Sequence, residues 1–146
     1  KIPVSVKLSP NVHDIKEISH AAERAGADAI TAVNTAVGMV IDVDARKPVL
    51  ANKIGGISGP ALKPIAVKCV YEIFEEVKIP IIGTGGVTCG KDAVEMIMAG
   101  ATGVGIGTGV YYRGINIFKK VCNEMESWMK KNKIKNLNDI RGCAHK

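Results

Sequence analysis

Aromatic side chains make up only 4% of the 146 residues, with a single tryptophan, and no apolar run approaches the ~20 residues that a membrane-spanning helix needs. Neither a membrane protein nor a reader of single-stranded nucleic acid is expected, since the latter interleaves basic residues with stacking aromatics. Cysteine is sparse as well. Cys69, Cys89, Cys122 and Cys143 are spaced as neither C-x-x-C nor any common zinc or iron–sulfur ligand set. They read as reduced thiols of a cytoplasmic protein, without a metal site. Residues 1–8 have no long apolar stretch and no small-residue cleavage site, so a secretory leader is not expected there. A chain that opens on Lys-Ile-Pro is expected to be cut from something longer.

Against these absences stand 47% hydrophobic residues, 23% charged residues and 16 glycines, the composition of a globular domain. The net charge of +6 is unevenly placed: residues 116–146 hold eight Lys/Arg against three acids, and residues 1–115 hold twelve against eleven. A solvated terminal helix with lysines on its outer face accounts for that excess.

Short apolar runs alternate along the chain with helical periods and turn signals. Ile2–Leu8, Ala29–Val33, Ile79–Ile82 and Gly103–Ile106 read as strands. Asp14 to Ala25 reads as a helix with Ile15, Ile18, Ala22 and Ala25 on one face, ending at Gly26. A second helix buries Ala66, Cys69, Val70, Ile73, Phe74 and Val77; a third covers Lys91–Ala99 and ends at Gly100. A fourth carries Phe118, Val121, Cys122, Met125, Trp128 and Met129 on its inner face. Uniformly apolar strands, each followed by a helix, predict an α/β fold with a parallel sheet, in four βα units. Residues 34–62 interrupt the rhythm for longer than an ordinary connection, and their apolar patches predict an ordered excursion.

The strongest chemical signal is a pair of strand endings, Gly83-Thr84-Gly85-Gly86 and Gly105-Ile106-Gly107-Thr108-Gly109. Glycine there lets backbone N–H groups approach an anion, and two such turns one βα unit apart point to one shared phosphate. The same glycines could instead serve only tight turns and close helix packing. In (β/α)8 barrels the loops after the seventh and eighth strands frequently form such a site, which makes these four units the C-terminal half of a barrel. The 146 residues are about half of the ~250 of such a barrel. A dinucleotide fingerprint fails, because Val110, Tyr111 and Tyr112 stand where its third glycine belongs, and no P-loop sequence occurs. Lys7 lies within Val4-Ser5-Val6-Lys7-Leu8, where an unpaired ammonium is costly to bury unless it faces a ligand, an ion partner or water. Asn34 and Thr35 end the next strand and suit an amide- or imide-bearing ring, although alone they make only a turn.

Taken together, Val6-Lys7-Leu8-Ser9-Pro10-Asn11-Val12, Asn34-Thr35, Gly55-Gly56-Ile57-Ser58-Gly59-Pro60-Ala61, Ile81-Ile82-Gly83-Thr84-Gly85-Gly86-Val87 and Gly105-Ile106-Gly107-Thr108 closely resemble the C-terminal half of the dihydroorotate dehydrogenases. The Lys-Leu-Ser-Pro-Asn form resembles class 1, particularly the type that passes electrons to NAD through a partner subunit. The resemblance implies that residues 1–146 are half of an FMN-binding barrel domain that oxidises (S)-dihydroorotate to orotate in pyrimidine synthesis. It implies that Lys7 contacts the flavin ring, that Val33 and Gly59 line the FMN site through backbone, and that Gly85, Gly86, Gly107 and Thr108 hold the phosphate. Asn34 and Thr35 would bind the dihydroorotate ring. It further implies a homodimer of barrels, with any FAD and [2Fe–2S] cluster on another subunit. The family's cysteine base precedes Lys1, so no catalytic residue is expected in this chain, which alone should be inactive; Cys89 is a poor substitute. His13, His20 and His145 read as structural or exposed. Two other functions share parts of the pattern: another flavin-dependent pyrimidine oxidoreductase, and a phosphate-binding half-barrel without redox chemistry.

Overall fold

A computed structural model describes residues 2–146; the reading of a missing leader, in so far as it includes Lys1, lies outside them. Four parallel strands form one sheet in the order β1 (Ser5–Leu8), β2 (Ala29–Ala32), β7 (Ile81–Thr84), β8 (Gly103–Gly105). Between β1 and β2 runs α1 (Ile15–Arg24), and α2 (Lys63–Glu76) precedes β7. After β7 come α3 (Gly90–Met98), β8, the short α4 (Gly109–Arg113) and α5 (Ile117–Lys131). This is the predicted α/β succession of four βα units, half of the eight that close a barrel.

Register assigns each strand residue a side. Leu8, Ile30, Ala32, Ile81 and Gly83 face the helices and are buried, whereas Ser5, Lys7, Thr31, Ile82 and Thr84 share the opposite, helix-free face. Burying Ile30, Ile73 and Ile81 contributes about 2 kcal/mol each. On the open face, the Ser5 and Thr31 hydroxyls hydrogen-bond at 2.9 Å. β1 and β8 are the unpaired edges of the sheet.

The helix faces need correction in two places. Asp14 caps α1 by accepting the Lys16 N–H at 2.8 Å, but the buried pair is Ile15 and Ser19, and Ile18 and Ala25 are exposed. α1 packs on α2, β1 and β2, and Ile18 stays 42% exposed. Ser19 tolerates burial because its hydroxyl donates to the Lys16 carbonyl at 2.8 Å. On α5 the stripe read from the sequence holds for Val121, Met125 and Trp128, but Ile117 is buried in place of Phe118, and Phe118 and Cys122 are exposed. Cys69 is buried as expected, and burial pushes its thiol pKa up.

The long interval is an ordered arm of two antiparallel ribbons. β3 (Ala36–Gly38) pairs with β6 (Gly55–Ile57), and β4 (Ile41–Asp42) pairs with β5 (Lys47–Pro48). Asp42 Oδ1 shapes the tip by accepting the N–H groups of Asp44 and Ala45. Val37, Met39, Val40, Ile41 and Val43 are exposed along the arm. At the other end of the chain, the segment after α5 folds back: Gly142 donates its N–H to Ile97 O, and the His145 ring stacks on Tyr71 at 3.7 Å. No helix among the described residues is long and apolar enough to cross a membrane.

Candidate functional site

Parallel strands deliver all their C-terminal ends to one edge of the sheet, so the residues after β2, β7 and β8 meet there. Lys7, one position before the end of β1, joins them. A cavity of about 150 Å³ at this edge is lined by all nine sequence candidates: Lys7, Val33, Asn34, Thr35, Gly59, Gly85, Gly86, Gly107 and Thr108. Ser58, Leu62, Thr84, Val87 and Gly109 complete the lining. All of these but Leu62 lie inside the glycine-rich segments already visible in the sequence. The cavity volume is below the ~300 Å³ floor of ordinary ligand pockets.

Among the described residues the lining carries one cation, Lys7, and no carboxylate. Lys7 is exposed, not buried in the strand, because the inner face of the sheet is uncovered, and it has no ion-pair partner among the described residues. The local charge balance therefore favours an anionic ligand.

The glycines divide into two kinds. Gly86 has φ +72°, and a Cβ there would lie 2.7–2.8 Å from Lys63 Cβ and N and from the Gly59 carbonyl oxygen. The fold itself demands that glycine. Gly107 has no left-handed φ, and a Cβ built on it meets nothing within 4 Å, although the residue lines the cavity. Protein packing gives no reason for glycine at 107; space for a ligand does. A phosphate-bearing group fits these walls on that observation.

The other wall begins at Asn34, whose N–H donates to Leu8 O at 2.8 Å. Asn11, which closes the Lys-Leu-Ser-Pro-Asn segment and to which the sequence assigns no role of its own, braces this wall. Its Nδ2 donates to Thr35 O at 2.9 Å and its Oδ1 accepts the Val37 N–H at 2.8 Å.

Behind the glycine turns lies a second set of residues that spacing did not reveal. Asp92 Oδ2 accepts the N–H groups of Thr88 and Cys89, and Lys63 Nζ donates to Asp92 Oδ1 at 2.8 Å. Burial opposes ionisation of Asp92, but the hydrogen bonds from Lys63, Thr88 and Cys89 outweigh it and hold the carboxyl well below the usual range. Lys63 Nζ also donates to Glu95 Oε2 at 2.7 Å, and the bonds to Asp92 and Glu95 raise the pKa of its ammonium. As pH falls, the unfolded chain then protonates this carboxylate first, so its contribution to stability is complete above about pH 4 and is lost below it. Unfolding free energies of the intact protein and of Asp92→Asn should differ most near neutrality, and the gap should begin to narrow as pH falls below about 4; a gap independent of pH contradicts this reading.

Cys89 does not line the glycine cavity. It borders a separate groove of about 870 Å³ with Arg113, Glu124 and Trp128, on the helix side. No cluster of three or more His, Cys, Asp or Glu among the described residues could hold a metal ion.

Comparison with known proteins identifies the family. A family profile described as dihydroorotate dehydrogenase matches residues 1–129. The chain belongs to the dihydroorotate dehydrogenase family. It is 54% identical over 145 residues to the protein named dihydroorotate dehydrogenase B (NAD(+)), catalytic subunit, of Methanocaldococcus jannaschii, covering 99% of this chain and 47% of that protein. The protein of the same name from Lachnoclostridium phytofermentans is 52% identical, with 99% and 48% covered. Among solved structures, ligand-free DHODH from Eimeria tenella superposes with a TM-score of 0.84 at 28% identity, over 100% of this chain and 41% of that one. The chain thus spans about half the length of the relatives it matches. The dihydroorotate dehydrogenase family consists of flavin-dependent oxidoreductases.

Proposed function

We propose that this chain supplies the phosphate side of the FMN site, and part of the substrate site, in a dihydroorotate dehydrogenase that oxidises (S)-dihydroorotate to orotate for pyrimidine synthesis. The observation that carries the proposal is the convergence of Lys7, Asn34, Gly86 and Gly107, from separate βα units, on one cavity that no carboxylate lines among the described residues. In this proposal residues 1–146 are the C-terminal half of the barrel domain. Gly85, Gly86, Gly107 and Thr108 hold the FMN phosphate through backbone N–H groups. Val33 and Gly59 contribute main chain to the same wall. Lys7 places its ammonium beside the flavin ring, and Asn34 and Thr35 hydrogen-bond the dihydroorotate ring through its amide and carbonyl groups.

FMN, when bound, supplies the hydride acceptor for this oxidation. Lys7 offsets the negative charge that the reaction leaves on the ring, and the Asn11 brace on Thr35 keeps the substrate wall from shifting. The base that takes the substrate proton is proposed to be a cysteine outside this chain. The position of Cys89 supports that assignment, since it borders the helix-side groove and not this cavity.

The name "catalytic subunit" carried by the relatives supports a partner subunit, which we propose holds FAD and a [2Fe–2S] cluster and passes electrons to NAD. The exposed apolar residues of the arm support assembly through protein contacts, a homodimer included. The four unpaired cysteines support a cytoplasmic setting.

The phosphate assignment is tested with the intact protein stripped of flavin. FMN should bind at least about tenfold more tightly than riboflavin, the worth of one or two charge-assisted hydrogen bonds. Equal affinities would remove the phosphate from the glycine turns.

A further inference from the structure

The walls of the cavity come from separate βα units, and side chains that do not line it join those walls together. Their meeting point is Thr88, two residues beyond Gly86. Asp92, in the first turn of α3, accepts the Thr88 N–H and hydroxyl, both at 2.9 Å. Lys63, which ties Asp92 to the first turn of α2, follows the Gly59 turn by four residues. The Thr88 carbonyl is occupied from the opposite side: Arg113 Nη1 donates to it at 2.8 Å from the end of α4, the helix that opens directly after Gly107-Thr108. The other arm of the same guanidinium donates to Glu124 Oε1 on α5 at 2.6 Å, and Glu124 Oε2 accepts the Gly90 N–H at 2.6 Å. Thr88 is therefore held through its N–H, hydroxyl and carbonyl, by residues anchored beside all three glycine walls.

Neither ion pair points its charge at the ligand space. Lys63 is matched by Asp92 and Glu95, Arg113 is matched by Glu124, and none of the five lines the cavity. Their effect on a ligand must come through geometry. We propose that Arg113–Glu124 and Lys63–Asp92 are positioning pairs that set the spacing between the Gly86 and Gly107 turns, and with it the strength of the phosphate grip. The proposal rests on the flavin-phosphate reading above and adds residues outside the cavity to it. The planar guanidinium fork is essential, because it bridges the Thr88 carbonyl and the Glu124 carboxylate at once, which a lysine ammonium on a flexible stem does not reproduce.

The test compares FMN and riboflavin affinities, by flavin fluorescence, in the intact flavin-stripped protein and its variants. Arg113→Ala should weaken FMN about tenfold or more and leave riboflavin unchanged, so that the preference for the phosphate-bearing ligand collapses. Arg113→Lys should fail to restore the preference. Glu124→Gln, which keeps an oxygen for the Gly90 N–H, should lower it by a smaller factor and serves where Arg113→Ala folds poorly. A preference unchanged in Arg113→Ala and Glu124→Gln overturns the proposal, as does full restoration by lysine or an equal loss for both ligands. Absence of any FMN preference in the unsubstituted protein would instead remove the flavin-phosphate reading itself.

Discussion

Lys7→Ala in the intact protein is expected to slow flavin reduction by dihydroorotate about a hundredfold or more while leaving FMN content near that of the unsubstituted protein. The reasoning starts from register. Lys7 pairs with Thr31 in the neighbouring strand and so shares the helix-free face of the sheet, at the edge where Asn34 and the glycine turns converge. No carboxylate lines that cavity and none pairs with Lys7 among the described residues, so its charge is free to act on a ligand. A cation placed where negative charge develops stabilises the transition state more than the ground state, and losing one such group costs ~10²–10³ in rate. The phosphate grip lies elsewhere, on the Gly86 and Gly107 turns, which is why cofactor content should survive. Anaerobic stopped-flow at the flavin absorbance separates the two quantities. A normal reduction rate in Lys7→Ala would take this role away from Lys7.

The two glycine substitutions should act with opposite signs on stability. Gly86→Ala forces a side chain into a left-handed conformation and against the Gly59 carbonyl and Lys63, at an expected cost of about 2–5 kcal/mol. Gly107→Ala meets no protein atom within 4 Å and no left-handed φ. It should stabilise the flavin-free protein by about 0.4–1 kcal/mol, because alanine restricts the unfolded chain. Yet the same methyl enters the space assigned to the phosphate, so FMN affinity should fall at least about tenfold. Denaturant unfolding of the flavin-free forms reads the first effect and flavin titration the second. Retention of full FMN affinity by Gly107→Ala would place the phosphate somewhere else.

Much of this architecture is legible in the sequence, for a physical reason. A parallel sheet covered by helices needs apolar strands and one-sided helices, and both leave periods that can be counted. Glycines at strand ends mark the turns that later converge, so every candidate from Lys7 to Thr108 reached the cavity. Strand ends were less legible: Ile2–Val4 and Ile79–Pro80 are apolar but lie outside β1 and β7. Burial faces failed where a helix has a neighbour on one side only. Ile18 and Phe118 have the right period, but they stay 42% and 47% exposed. The ribbons of the arm were hidden because strands of two or three residues leave no period. Asp92 reaches Thr88 and Cys89 locally, but its partner Lys63 lies 29 residues away, and Arg113 follows Thr88 by 25 residues, separations that no motif marks.

If these residues form part of a flavoprotein that oxidises dihydroorotate, anaerobic titration of the intact, FMN-loaded protein with dihydroorotate should bleach the flavin absorbance and release orotate in equal amount. An absorbance that stays unchanged with dihydroorotate and bleaches with another reduced pyrimidine would overturn that function.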